Sequence, residues 1–193
     1  MEHLYNLIPL IMLAAGGVAL LAFDELRINL AGLAANYLAA FLLIVQSATV
    51  GLAAAKLITG LMAAGLIYVS RHDLTPVKGS EVRASRIFKI TALVLIWLAI
   101  LIIADNFLNL FPVNYETMAG ALIAIISGLM VLGTSRNALK VTMGILVLYA
   151  GFDILYTPLE SSILINGLLA LIIMLIALVG VYISTRHESE YEE

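Results

Sequence analysis

The stretch Ile90-Thr-Ala-Leu-Val-Leu-Ile-Trp-Leu-Ala-Ile-Leu-Ile-Ile-Ala104 carries no charge. With its flanks it forms an apolar run from Phe88 to Leu108, the length of one membrane-crossing helix at about 20 residues. The rest of the chain repeats this character. Of its 193 residues, 63% are hydrophobic and only 12% charged, and the mean hydropathy is +1.08. A soluble chain has roughly a quarter of its residues charged, so a water-soluble domain is excluded and the apolar excess must face lipid. At about 20 residues per span the chain holds at most about eight spans, which leaves almost nothing for an extramembrane domain.

Apolar windows of about 19 residues, bounded by charges, Pro, Asn or Gly, predict seven spans. They are Leu7 to Phe23, Ile28 to Val45, Thr49 to Val69, Phe88 to Leu108, Met118 to Thr134, Ala138 to Thr157 and Ser162 to Ser184. Gln46, Ser47 and Ala48 leave only a very tight turn between the second and third, so one of these two is alternatively a partial or tilted segment. The N-terminal stretch lacks the positive n-region of a signal peptide and begins with Glu2. It reads as a retained first helix. The expected fold is therefore an all-α polytopic membrane protein occupying 1–193 as one membrane domain.

Seven spans sort the loop charges. Arg27, Arg71, Lys78, Arg83, Arg86, Lys89, Arg136, Lys140 and Arg186 fall on one face, which is nine of the ten basic residues. The other face has Glu2, Glu116 and Glu160 and no base. By the positive-inside rule the N-terminus is expected outside and the C-terminus in the cytoplasm, in a cytoplasmic (inner) membrane. Adding or dropping one span would scatter the bases. The loop from Ser70 to Lys89 reads as a solvated connection or headgroup contact, or alternatively as a docking point for a peripheral subunit.

Redox and metal chemistry find little to work with. The absence of cysteine removes disulfides, thiolate zinc sites and iron–sulfur clusters. His3, His72 and His187 lie at the chain ends or in a charged loop, which excludes haem ligation by an intramembrane histidine pair. No nucleophile and base, phosphate loop, metal cluster, cofactor or nucleic-acid partner is expected.

The third and seventh spans end on nearly the same phrase, Ile67-Tyr-Val-Ser-Arg-His-Asp73 and Val181-Tyr-Ile-Ser-Thr-Arg-His-Glu188. Each follows a helix, a tight turn with arginine (Arg27, Arg136) and a second helix. This suggests two parallel three-helix units, 7–69 and 118–184, joined by a loop at 70–87 and a linking helix at 88–108, with an acidic tail at 185–193. Aromatic residues followed by bases also recur at unrelated cytoplasmic helix ends, so chance similarity stands beside duplication.

Within the second unit, Ser135-Arg-Asn-Ala-Leu-Lys-Val-Thr-Met-Gly144 resembles the turn and second helix of the K subunit of complex I and of the C subunit of Mrp-type cation/proton antiporters. Arg136 and Asn137, six mostly apolar residues and Gly144 carry the likeness. Component E of group 4 membrane hydrogenases, which adds helices N-terminal to such a unit, is close in length. The first unit is similar more loosely, through Arg27, Asn36 and Lys56. The resemblance implies a membrane subunit packed against large antiporter-like subunits. It also marks a departure, because the carboxylates of that family's proton path correspond here to Leu146 and to a seventh span free of acids from Ser162 to Ser184. The scaffold role carries over and the proton-channel role does not.

Three ionisable residues lie within spans: Lys56, Asp105 and Asp153. Each costs about 2.5 to 3.5 kcal/mol at the bilayer centre on the mildest scale, so each needs a partner or access to water. Lys56 precedes Arg71 by 15 residues, Asp105 follows Lys89 by 16 and Asp153 follows Arg136 by 17. All three are thus expected at one level in the outer half, as an ion path or as a pair of Lys56 with Asp153 or Asp105. Asp105, beside Asn106 and Asn109, alternatively marks the watery end of its span, and Asp153, close to Pro158, alternatively snorkels outward. Gly16, Gly17, Gly60 with Ala64, Gly128 and Gly144 are expected where helices approach closely. Asn36, Thr59, Ser127, Thr142 and Asn166 are residue types that can hydrogen-bond between helices.

Overall fold

The computed structural model describes residues 2–70, 83–108, 113–160 and 162–189, with side chains over 7–70, 85–108, 113–160 and 162–185. Arg71, His72, Asp73, Lys78 and Asn109, and the side chains of Glu2, His3, Arg83, Arg186, His187 and Glu188, therefore lie outside the described residues. The described residues form seven helices and no strand. They are α1 (Glu2–Ala22), α2 (Leu26–Ile44), α3 (Val50–Ser70), α4 (Arg83–Phe107), α5 (Tyr115–Thr134), α6 (Ala138–Tyr156) and α7 (Ile163–Ser189).

Lipid offers backbone groups no hydrogen-bond partner, so a spanning segment must satisfy them within itself as a helix. Helices α2 to α7 are each long and apolar enough to cross a membrane, while the apolar stretch Leu7–Ala22 of α1 is shorter. The molecule is an all-α polytopic membrane protein. The seven expected spans coincide with the seven helices. The largest differences are at the start of α1, the start of α4 and the end of α7, each five residues beyond the apolar run. Intrahelical hydrogen bonding does not stop where hydrophobicity does.

One expectation is corrected. The turn between α1 and α2 is Phe23-Asp24-Glu25, and Arg27 already belongs to the first turn of α2. Arg136 does lie in a turn, Ser135-Arg136-Asn137, so the two arginines are not equivalent. The equivalence that the backbone does show has a different register. Helix α1 ends at Ala22 and α5 at Thr134, and α2 runs Leu26–Ile44 and α6 Ala138–Tyr156, each pair offset by 112 residues.

Helices α1, α2 and α3 form one layer with α2 in the middle, and α5, α6 and α7 form a second with α6 in the middle. The layers stack so that α1 packs on α5, α2 on α6 and α3 on α7, while α4 lies outside against α5 and α1. Stacked partners run the same way: a Cβ on Gly17 would meet Ser127, and one on Gly120 would meet Leu13 and Leu10. Neighbours within a layer are antiparallel and cross at glycines. A Cβ on Gly16 would come 2.7 Å from the Gly32 carbonyl oxygen, and one on Gly128 would come 2.7 Å from that of Gly144. Gly128 and Gly144 stand 112 residues after Gly16 and Gly32, so the two layers repeat the same close crossing. Without a hydrophobic drive between helices in lipid, such backbone approach is what makes association favourable.

Leu13, Leu33, Leu43, Ile44, Ile67, Met143, Leu146 and Ile154 fill the interior between the layers. The Trp97 indole donates to Ser127 Oγ at 3.3 Å, and Ser127 in turn donates to the Ile123 carbonyl at 2.6 Å, which ties α4 to α5. Large apolar side chains that face outward, such as Phe88, Ile102, Ile163 and Leu164, are what a lipid-facing surface requires.

Candidate functional site

The layers meet at a charge. Lys56, six residues into α3, extends its ammonium to Asp153, three residues from the end of α6, and Nζ lies 2.7 Å from Oδ1. The side chains are only 5% and 3% exposed, so neither charge faces bulk water. Ala53, three residues before Lys56 on α3, is fully buried. At about 1.5 Å per residue the pair lies about 5 to 9 Å below one end of the bundle, the end with the α2–α3 and α6–α7 turns. Thr157 closes that end, its hydroxyl donating to the Asp153 main-chain oxygen at 2.7 Å. On the inward side Tyr37 is buried with its ring over Gly60, and its hydroxyl makes a long 3.4 Å hydrogen bond to the Leu146 carbonyl.

Asp105 is not part of this site. It is exposed near the end of α4, on the helix outside the two layers, and Lys56 is given to Asp153. Arg136 is exposed in its turn, and Asn137 caps α6 by accepting from the Leu139 amide at 2.9 Å. Gly144 is one half of the α5–α6 crossing. The Asn137 and Gly144 positions of the resemblance motif are thus accounted for by capping and packing. Among the described residues, no three His, Cys, Asp or Glu side chains come together as metal ligands would.

Two cavities lie at the same end of the bundle as the pair, and Lys56 lines the smaller. One of about 370 Å³ opens at the end of the bundle and is lined by Gln46, Ser47, Ala48, Thr49, Leu52, Thr157 and Pro158. The other, about 130 Å³, lies between the first turns of α3 and α7 and is lined by Leu52, Ala55, Lys56, Ile163, Asn166, Gly167 and Ala170. No protein-family model, curated protein or solved structure matches this chain. Its functional reading rests on this geometry.

Sequence reasoning missed a second ion pair. Lys140 Nζ lies 2.7 Å from Asp24 Oδ1, joining the first turn of α6 to the α1–α2 turn at the opposite end of the bundle. From the sequence Lys140 reads only as a loop base and Asp24 carries no expectation, because 116 residues separate the two. The Asp24 side chain is 36% exposed, so removing its partner leaves it hydrated. Lys140→Met is expected to lower stability by about 1 kcal/mol or less, read as a small shift of the thermal unfolding midpoint in mild detergent.

Proposed function

We propose that the chain is a non-catalytic integral membrane subunit of a proton- or cation-translocating complex of the complex I, membrane hydrogenase or Mrp-type antiporter kind, packed beside large antiporter-like subunits. It sits in the cytoplasmic membrane with its N-terminus outside. The observation that supports this reading is the one-sided position of the Lys56–Asp153 pair. An intramembrane charge pair is costly and marks ion or substrate paths more often than packing. Here it is held near one end, and towards the other end the layers face each other through Leu33, Ile67, Met143, Leu146 and Ile173. A lone chain then offers an element of a path, which a neighbouring subunit completes. Solubilisation in mild detergent tests this: the tagged chain is expected to bring down large multi-span membrane subunits. A stable homo-oligomer with no other component overturns it.

A second reading has its own support. Lys56 belongs to the first three-helix unit and Asp153 to the second, and in transporters built from repeats the site lies at the repeat interface. The shared 112-residue spacing of the Gly16–Gly32 and Gly128–Gly144 crossings favours duplication in the same way. On this reading the chain is a self-standing small transporter or channel. Cation or proton flux into liposomes holding only the purified protein, abolished by Lys56→Met, would establish it in place of the subunit role.

A further inference from the structure

One residue that lines the cavity between α3 and α7 keeps a polar atom that the fold does not satisfy. Asn166 is 5% exposed, and its side-chain amide nitrogen donates to the carbonyls of Glu160 and Ser162, both at 3.0 Å. Two carbonyl partners fix which end of the amide is which, so the other end is the oxygen, and Asn166 Oδ1 is buried without a hydrogen bond. The same cavity is lined by Lys56, whose ammonium has three donors and gives one to Asp153. A buried acceptor left unmade costs about 1 to 3 kcal/mol, and an acyl chain in the cavity would leave that cost in place.

The chemistry of the lining selects the occupant. A metal cation would meet the Lys56 ammonium, and an anion would meet the Asn166 carbonyl oxygen and the nearby Asp153 carboxylate. What fits is a small neutral group that accepts from Lys56 and donates to Asn166, which is water. About 130 Å³ accommodates several waters at about 30 Å³ each. The larger cavity, with Gln46, Ser47, Thr49 and Thr157 in its wall, lies at the end of the bundle, and Leu52 lines both.

We propose that the α3–α7 cavity is a hydrated site that connects the Lys56–Asp153 pair to the aqueous phase on one side only, past Leu52, through the vestibule formed by the α2–α3 and α6–α7 turns. Leu52 is the barrier between bulk water and the ion pair. Ala55 and Gly167 form the rim of the cavity on the flank of the bundle, where both are exposed. This holds whether the chain works within a complex or alone.

The absence of cysteine in the chain allows a direct test on the full-length protein in oriented membrane vesicles, with a small, charged, membrane-impermeant methanethiosulfonate as the probe. Thiols react as thiolates in water and stay silent in hydrocarbon. Gly167→Cys introduces its side chain into open space, and Ala55→Cys adds one atom at the rim. Both variants are expected to react from the side on which Gln46→Cys reacts, and not from the other. Ile58→Cys, on an outward apolar face of the same helix, is expected to react from neither. Leu52→Ala is expected to speed modification of Ala55→Cys about tenfold, equivalent to about 1.4 kcal/mol of barrier, while Gln46→Cys keeps its rate. Silence of Ala55→Cys and Gly167→Cys from both sides means an acyl chain or a partner helix fills the cavity, and overturns the proposal. Reaction from the side opposite Gln46→Cys, or a rate indifferent to Leu52→Ala, overturns it equally.

Discussion

Lys56→Met is expected to destabilise the protein in mild detergent by about 3 to 5 kcal/mol, the range for breaking a buried ion pair by removing one partner. The physical reason is the charge left behind. Asp153 is 3% exposed on its side chain, and without the ammonium 2.7 Å away nothing among the described groups neutralises it. Asp153→Leu is expected to cost a comparable amount, because it leaves the ammonium of Lys56 buried without a counter-charge. The double variant Lys56→Met with Asp153→Leu is expected to recover most of the loss, since a well-packed apolar pair avoids both desolvation penalties. Thermal unfolding midpoints of the four proteins form a double-mutant cycle. Additive losses would show that the two side chains do not act as a pair.

The next largest effects are expected where backbones touch. A Cβ on Gly151 would lie 2.8 Å from the Ala121 carbonyl oxygen and 2.8 Å from the Ile125 amide nitrogen. Main-chain atoms of a helix cannot rotate aside, so Gly151→Ala must push α6 away from α5. Gly128→Ala does the same against Gly144 and Leu148. Overpacking of this kind costs about 1 to 3 kcal/mol, and larger side chains at either position are expected to prevent assembly of the second layer. Gly133 and Gly65, in α5 and α3, have nothing within 4 Å of the added atom. Alanine there is expected to be neutral or mildly stabilising, through its better helix propensity. Parallel thermal unfolding of the four alanine variants separates close approach from a general intolerance of substituted glycine. Equal losses in all four would remove the backbone-contact explanation.

Legibility in the sequence followed the range of the physics involved. Each membrane span is decided by some twenty consecutive residues, so the apolar runs marked all seven helices, and the ends differ most at the start of α1 and α4 and the end of α7. Gly16 and Gly128 were legible as small residues that let helices approach closely. Asp153 was recognised as an intramembrane acid, yet its choice over Asp105 as the partner of Lys56 was open, because depth along a helix is one coordinate and says nothing of rotation or lateral position. The Arg27 and Arg136 comparison failed for a related reason. A matching residue type near two turns does not establish matching register, which the helix ends at a 112-residue offset do.

The sequence by itself determined that the chain lives in lipid, where the seven helices of the described residues lie, and that Lys56, Asp105 and Asp153 stand deeper in its apolar runs than the bases at their ends, since hydropathy acts locally and the bilayer imposes one length. The tertiary structure alone decided that the helices stack as two layers in the same order and that Lys56 bridges those layers to Asp153. It also placed Lys140 against Asp24 across 116 residues and left the Asn166 oxygen unpaired beside a cavity. These are contacts between distant segments, governed by which faces of the helices meet, and a pattern read along one strand of residues does not contain them.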